Sequence, residues 1–228
     1  MVILLLVFGV ALSHGVRTGR DHHEAEYVER RGAESVRVRI GMHAGQLSLS
    51  GGANRLLEAE FDYSEAEGKP TVAYDVTGSR GELAVTQTGT SVHIGPPRNR
   101  WDLRLANDVP LELKIEMGAG QGDVRLTGLA LTKLDIEMGA GQLTADLTGA
   151  WKKNLDANIQ GGVGSATVRL PKNVGVRVHA TGGIGSVNVS GLERQGDEYV
   201  NEAYGKSAVT LRLNIEGGIG QINLVTEL

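Results

Sequence analysis

The chain has 228 residues, a formal net charge of −4 and no cysteine. That mild acidity offers no basic footprint for nucleic acid, and the lack of thiols excludes a disulfide framework and thiolate chemistry. Glycine numbers 33 while aromatics make up 4%, so the interior must be thin and filled by Val, Leu, Ile and Ala.

The first segment, "MVILLLVFGVALSHGVRTGR", opens with an apolar run from Val2 to Leu12. It falls short of the ~20 residues that span a bilayer as a helix. Residues 1–13 read as a signal peptide, with Ala11 and Ser13 supplying small residues for cleavage, or as the tail of a truncated membrane anchor. In the second case Arg17, Arg20, Arg30 and Arg31 would hold the following domain on the cytoplasmic side. Either reading expects a cell-envelope protein, exported or membrane-anchored. Residues 14–33 read as a polar linker. Within it His22-His23-Glu24 lacks the i, i+4 spacing of a zinc helix.

Residues 34–108 form an N-terminal β portion of short alternating runs: "SVRVRIGMHAGQLSLSG", "LLEAEFDY", "PTVAYDV" and "GELAVTQTG". It holds one copy of a motif whose other copies fall in residues 109–228, as an atypical or capping first repeat should. The copies are "IGMHAGQLSL" from Ile40, "IEMGAGQGDV" from Ile115, "IEMGAGQLTA" from Ile136, "IQGGVGSATV" from Ile159, "ATGGIGSVNV" from Ala180 and "IEGGIGQINL" from Ile215. Gly45, Gly120, Gly141, Gly164, Gly185 and Gly220 occupy one motif position, each followed by Gln or Ser. The flanks have period two: Leu111, Leu113, Ile115 and Met117 alternate with Glu112, Lys114 and Glu116. That is the pattern of half-buried strands.

A glycine-rich stretch after a strand can cradle phosphate, but only ahead of a helix whose N–H groups and dipole hold the anion. No amphipathic helix follows any copy, and "YGKS" at Tyr204–Ser207 lacks the upstream glycine of a P-loop. Calcium-binding β-rolls need Asp shortly after the glycines. There the copies carry Leu47, Gly122, Leu143, Ala166, Val187 and Ile222. The remaining use of glycine is spatial. In stacked coils equivalent residues sit ~4.8 Å apart, and glycine lets a corner meet its own counterpart without a side chain between them. The expectation is an all-β, glycine-cornered β-solenoid, a β-helix-like stack of short strands with a coil period near 21 residues. Gln121 and Gln142 should stack in register.

Between the last two copies the stretch "LERQGDEYVNEAYGKS", with Tyr199 and Tyr204, is an insertion that projects from the body or covers a core face. The final copy runs to the C-terminus with nothing after it to cover it, so self-association through the C-terminal coil is expected.

Asn99–Gly149, "NRWDLRLANDVPLELKIEMGAGQGDVRLTGLALTKLDIEMGAGQLTADLTG", with "LEAEFDY" at Leu57–Tyr63 and "LPKNVGVRVHATGGIGSVNVSGL" at Leu170–Leu192, resembles the bacterial toast-rack family. Those domains are related to the C-terminal region of LiaF-like cell-wall stress regulators and to adhesin-like β-solenoids. The resemblance covers roughly Ser35 to Leu224. It implies a glycine-cornered solenoid attached to or exported through a bacterial membrane, and it supplies no catalytic residues to carry over. One departure is His43, which replaces the first glycine of the first copy.

No nucleophile elbow is present. His43 and His179 sit near strand ends, and Glu116 and Glu137 lie on outward faces where carboxylates could pair for glycoside hydrolysis. "NVS" at Asn188–Ser190 matches a glycosylation acceptor within an alternating strand. No catalytic, cofactor-binding or metal-ligating residues are assigned. The sequence reading is a non-enzymatic cell-envelope scaffold that binds an unidentified protein partner. One version restrains a membrane sensor in cell-wall stress, and the other is a self-assembling or adhesin-like module.

Overall fold

A computed structural model describes residues 21–64, 68–87 and 99–227. The chain is all β. Six strands carry the motif: β2 (Ser35–Gly51), β7 (Leu111–Arg125), β8 (Leu131–Asp146), β9 (Leu155–Pro171), β10 (Gly175–Ser190) and β13 (Thr210–Glu227). They run parallel, with the glycine motifs in register. Each bends at its motif, so every coil has a first arm before the corner and a second arm after it.

The alternation of side chains explains the bend. Leu111, Leu113, Ile115 and Met117 point inward on the first arm, and Gly122 and Val124 do so on the second. Inward positions are odd before the corner and even after it, so the strand changes phase across exposed Gly118 and Ala119. The arms face one another inside the angle: a Cβ on Gly122 would lie 3.3 Å from the Met117 sulfur. Between β7 and β8, Leu126 and Leu129 close the coil with buried side chains. Each such side chain removed from water contributes about 1.5–3 kcal/mol.

The corner glycines are spacers. A Cβ built on Gly141 would stand 2.9 Å from the carbonyl carbon and 3.0 Å from the nitrogen of Gly120 in the coil before it, with the carbonyl oxygen nearer still. Its φ is +131°, a conformation other L residues rarely adopt. His43 is tolerated for the same reason. A Cβ at Gly118 would run into the His43 carbonyl, but β2 is the first copy in the stack, and among the described residues no earlier copy of the motif pairs with it at His43.

The order of the coils departs from the order of the sequence. Across the sheet it is β2, β7, β8, β9, β13, β10. The last copy lies between β9 and β10, paired along both edges. The expectation of an uncovered C-terminal coil is therefore corrected: β10 ends the stack, because β9 and β10 leave a vacant slot that β13 fills.

The first coil is covered by added strands. On its outer side β2 pairs with β5 (Arg80–Gln87) along Ser35–Gly41 and with β6 (Arg100–Leu105) along Gln46–Gly51. β4 (Pro70–Thr77) extends β5, and β3 (Leu57–Ser64) with β1 (Asp21–Val28) extends β6. Trp101 is fully buried here, edge-on to Phe61 at 5.5 Å, with its indole N–H on Asn99 Oδ1 at 2.8 Å. The assignment of 14–33 as linker fails over Asp21–Val28, since β1 pairs with β3 along its whole length. Edge hydrogen bonds and ion pairs, including Glu24 with Lys69 at 2.7 Å, hold a strand that has little apolar surface.

At the far end the insertion folds into a hairpin of β11 (Glu193–Gln195) and β12 (Glu198–Val200), which pairs with β10 only at Arg177–His179. Asn201 is buried behind it. It accepts from Val176 N at 2.9 Å and donates to Pro171 O at 3.1 Å and Val174 O at 2.7 Å. The insertion thus covers an end of the core.

Candidate functional site: the ladder-bearing faces

Parallel stacking in register turns each outward sequence position into a ladder. On the first arm Arg37, Glu112, Lys133, Asp156, Arg212 and Arg177 follow one another across the strands. Their signs alternate until the last pair. Arg37 bonds Glu112 at 3.2 Å and Arg212 bonds Asp156 at 2.7 Å, while Arg177 turns to Glu198 of the hairpin at 2.6 Å. Such cross-strand pairs each add roughly 0.2–1 kcal/mol.

Glu116 and Glu137 are neighbours in a second ladder on this arm. Lys114 bridges them at 3.1 and 2.9 Å, and Arg39 bonds Glu116 at 2.7 Å. Burial pushes the Glu116 carboxyl up, but the hydrogen bonds from Arg39 and Lys114 outweigh it and hold the group below its usual range. A glycosidase needs one carboxyl kept protonated as general acid. Glu116 is instead held in its charged form.

The second arm has a different character. Gln46, Gln121 and Gln142 stand in register beside the corner and continue as Ser165, Gln221 and Ser186. Further along, Asn188 donates to Asn223 at 2.9 Å. The three glutamines, with Thr144, Arg100 and Arg169, border an open depression of about 590 Å³. The expected glutamine stack is present, and it is longer than the two copies that announced it.

The histidines are dispersed. His22 stacks on Tyr63 with centroids 5.2 Å apart, and His23 bonds Asp62 at 2.7 Å. His43 lies at the first corner, where its backbone N–H donates to Gln87 at 2.9 Å. His179 faces Asp197 at 3.6 Å across the hairpin. Among the described residues no group of His, Cys, Asp or Glu converges with metal-binding geometry.

A family profile described as the N-terminal domain of toast_rack, DUF2154, matches residues 17–169. The chain belongs to the toast-rack family. A second profile, described as cell wall-active antibiotics response LiaF, C-terminal, matches residues 119–224 and so overlaps the first across the corner repeats. Among solved structures, one from Clostridium sporogenes described as a "putative cell adhesion protein" is 37% identical. It covers 91% of this chain and 100% of its own, with a TM-score of 0.88. One from Bacteroides fragilis described as a "putative adhesin" is 11% identical over 90% of this chain and 97% of its own, and its TM-score of 0.32 is too low to carry an argument. No curated protein matches the chain. The toast-rack assignment agrees with the glycine-cornered solenoid read from the repeats.

Proposed function

We propose that this toast-rack chain is a non-enzymatic, envelope-associated scaffold that presents its polar second-arm face to a protein partner. The supporting observation is the in-register row of Gln46, Gln121 and Gln142, in which β7 and β8 are paired along the corner on both sides. Its side chains recur about every 4.8 Å at fixed orientation, so an extended segment can bind with little ordering cost on the scaffold's side. The match to the LiaF C-terminal profile favours a regulatory partner in the cell-wall stress response. No helix among the described residues is long and apolar enough to cross a membrane.

The test is a reporter of cell-wall-antibiotic response in cells that lack the protein. Restoring the native chain should restore the response, Gln121→Lys with Thr144→Lys should not, and Lys133→Ser on the opposite face should. A reporter indifferent to loss of the chain would remove the regulatory reading. An adhesive role is the second reading, favoured by the description of the 37% identical structure. It predicts that loss of the chain alters attachment and leaves the reporter unchanged.

A further inference from the structure

The stack treats its two ends differently. β2 is covered along both arms, whereas β12 covers only Arg177–His179 of β10. Among the described residues no strand pairs the outer side of Ala180–Ser190.

Other edges of the sheet are protected by charge or proline, which discourage the addition of another strand. β1 carries His22, His23, Glu24 and Glu26; β4 opens on Pro70 and includes Asp75; β11 reads Glu193-Arg194-Gln195. The free part of β10 reads "ATGGIGSVNVS" and has no such residue. Its apolar surface is also displaced outward. Along the corner the residue before the spacer glycine is Ala44, Ala119, Ala140, Val163, Ile219 and then Ile184. Val163, Ile219 and Ile184 are 54%, 52% and 73% exposed, so the most exposed member stands at the open end.

The free stretch is symmetric about its bend. Ala180 before the corner and Val187 and Val189 after it pack inward, so the alternation is symmetric about the Ile184–Gly185 bond. A bent edge rotated by half a turn about the line bisecting its arms falls on itself with the arms exchanged. Antiparallel pairing that keeps inward residues opposite inward ones then sets Ile184 against Gly185 of a second copy, Thr181 against Asn188, and Ala180 against Val189. The register ends where β12 begins.

We propose that the chain forms a two-fold symmetric dimer by antiparallel pairing of Ala180–Val189 about the Ile184–Gly185 bond. The surface is isologous. It supplies partners for the unpaired backbone groups and brings the Val163–Ile219–Ile184 row of one copy against that of the other. Because β2 is already covered, growth stops at two copies and no filament follows. The pairing stands apart from the scaffold reading, which concerns the second-arm face.

Sedimentation equilibrium of the full chain, with amide hydrogen exchange on the same samples, tests this. Expected are a dimer at high concentration, slow exchange within Ala180–Val189 that quickens on dilution, and a monomer for Ile184→Lys with Ser186→Lys. Those two lysines would crowd their counterparts around the axis. Unchanged protection of β13 in the variant would show that it is folded. A native chain monomeric at about 0.5 mM, a dimer that survives both lysines in a folded variant, or a mass growing beyond two copies would overturn the proposal. So would a stretch protected only when envelope material is added, which assigns the edge to another protein.

Discussion

Replacing Gly141 by Ala isolates the spacer role of the corner glycine. The new methyl would stand 2.9 Å from the carbonyl carbon of Gly120 and closer to its oxygen, and φ is +131°. The obstacle is backbone held in a ladder on both sides, not the far end of a flexible side chain. The coils would have to part by on the order of 1 Å from their ~4.8 Å spacing. Strain at such a φ costs about 1–2 kcal/mol, and overpacking adds about 1–3. The sum, roughly 2–5 kcal/mol, should lower Tm by about 5 to 15 °C for a chain of this size. Gly161→Ala is the control. Its Cβ would meet only the Glu216 carbonyl oxygen at 4.0 Å, and its φ is not in the left-handed region. That variant should match the native protein or exceed it by about 0.5–1 kcal/mol through the loss of unfolded-state freedom. Thermal and urea unfolding of the two variants gives the comparison. A Gly141→Ala protein as stable as the native chain, or one no worse than Gly161→Ala, would refute the spacer argument.

Asn201→Ala removes three hydrogen bonds behind the hairpin and leaves Val176 N, Pro171 O and Val174 O without that partner. A loss of about 2–4 kcal/mol is expected in urea unfolding, with faster exchange in β11 and β12; unchanged protection there would contradict it. Asn99→Ala strips the buried Trp101 N–H of its acceptor and Ala44 O of a donor, so a loss of about 2–3 kcal/mol with a red shift of Trp101 emission should follow. The hydrogen bond that the His23 imidazolium donates to Asp62 holds its pKa above the ordinary 6.5. Its stabilising effect is full below that value and fades as pH rises through the folded pKa. NMR titration should show the raised midpoint, and Asp62→Asn should return it toward 6.5. The Arg212 hydrogen bond holds Asp156 below 3.8, so that contribution is present above 3.8 and lost as pH falls through the folded value; Arg212→Gln should move the Asp156 midpoint up, and an unmoved midpoint would count against the ladder.

The corner and its ladders were legible because they rest on local patterning. Two identical "IEMGAGQ" segments, period-two flanks and one glycine kept in every copy already require equivalent residues to meet, and the structure brings them into register. His43 was visible as a departure, and its position at the first coil explains it. The order of coils was not legible. Arg177 of β10 and Arg212 of β13 occupy the same ladder position, so either could face Asp156 of β9. Asn188 and Asn223 are equally interchangeable opposite Thr167. What separates them is non-local, including Thr210 N donating to Asn154 at 2.9 Å and the Asn201 bonds that fix the start of β10. β1 escaped notice because an edge strand held by ion pairs shows no apolar alternation: seven of its eight residues, Asp21 to Tyr27, are exposed or half-buried. The polar second-arm face was legible only as the glutamine row, since its arginines and threonines come from different coils.

The central claim is a stack of coils spaced by glycine, with the last strand seated between β9 and β10. Because the chain has no cysteine, paired cysteines can read that order directly. Thr167→Cys with Asn223→Cys, and Asn188→Cys with Asn223→Cys, should each oxidise to an intramolecular disulfide, since these residues face one another on adjacent strands. Thr167→Cys with Asn188→Cys should not, because two strand spacings, about 9.6 Å, exceed the reach of the bond. Ready bridging of 167 to 188, with none from 223 to 167, would contradict the arrangement.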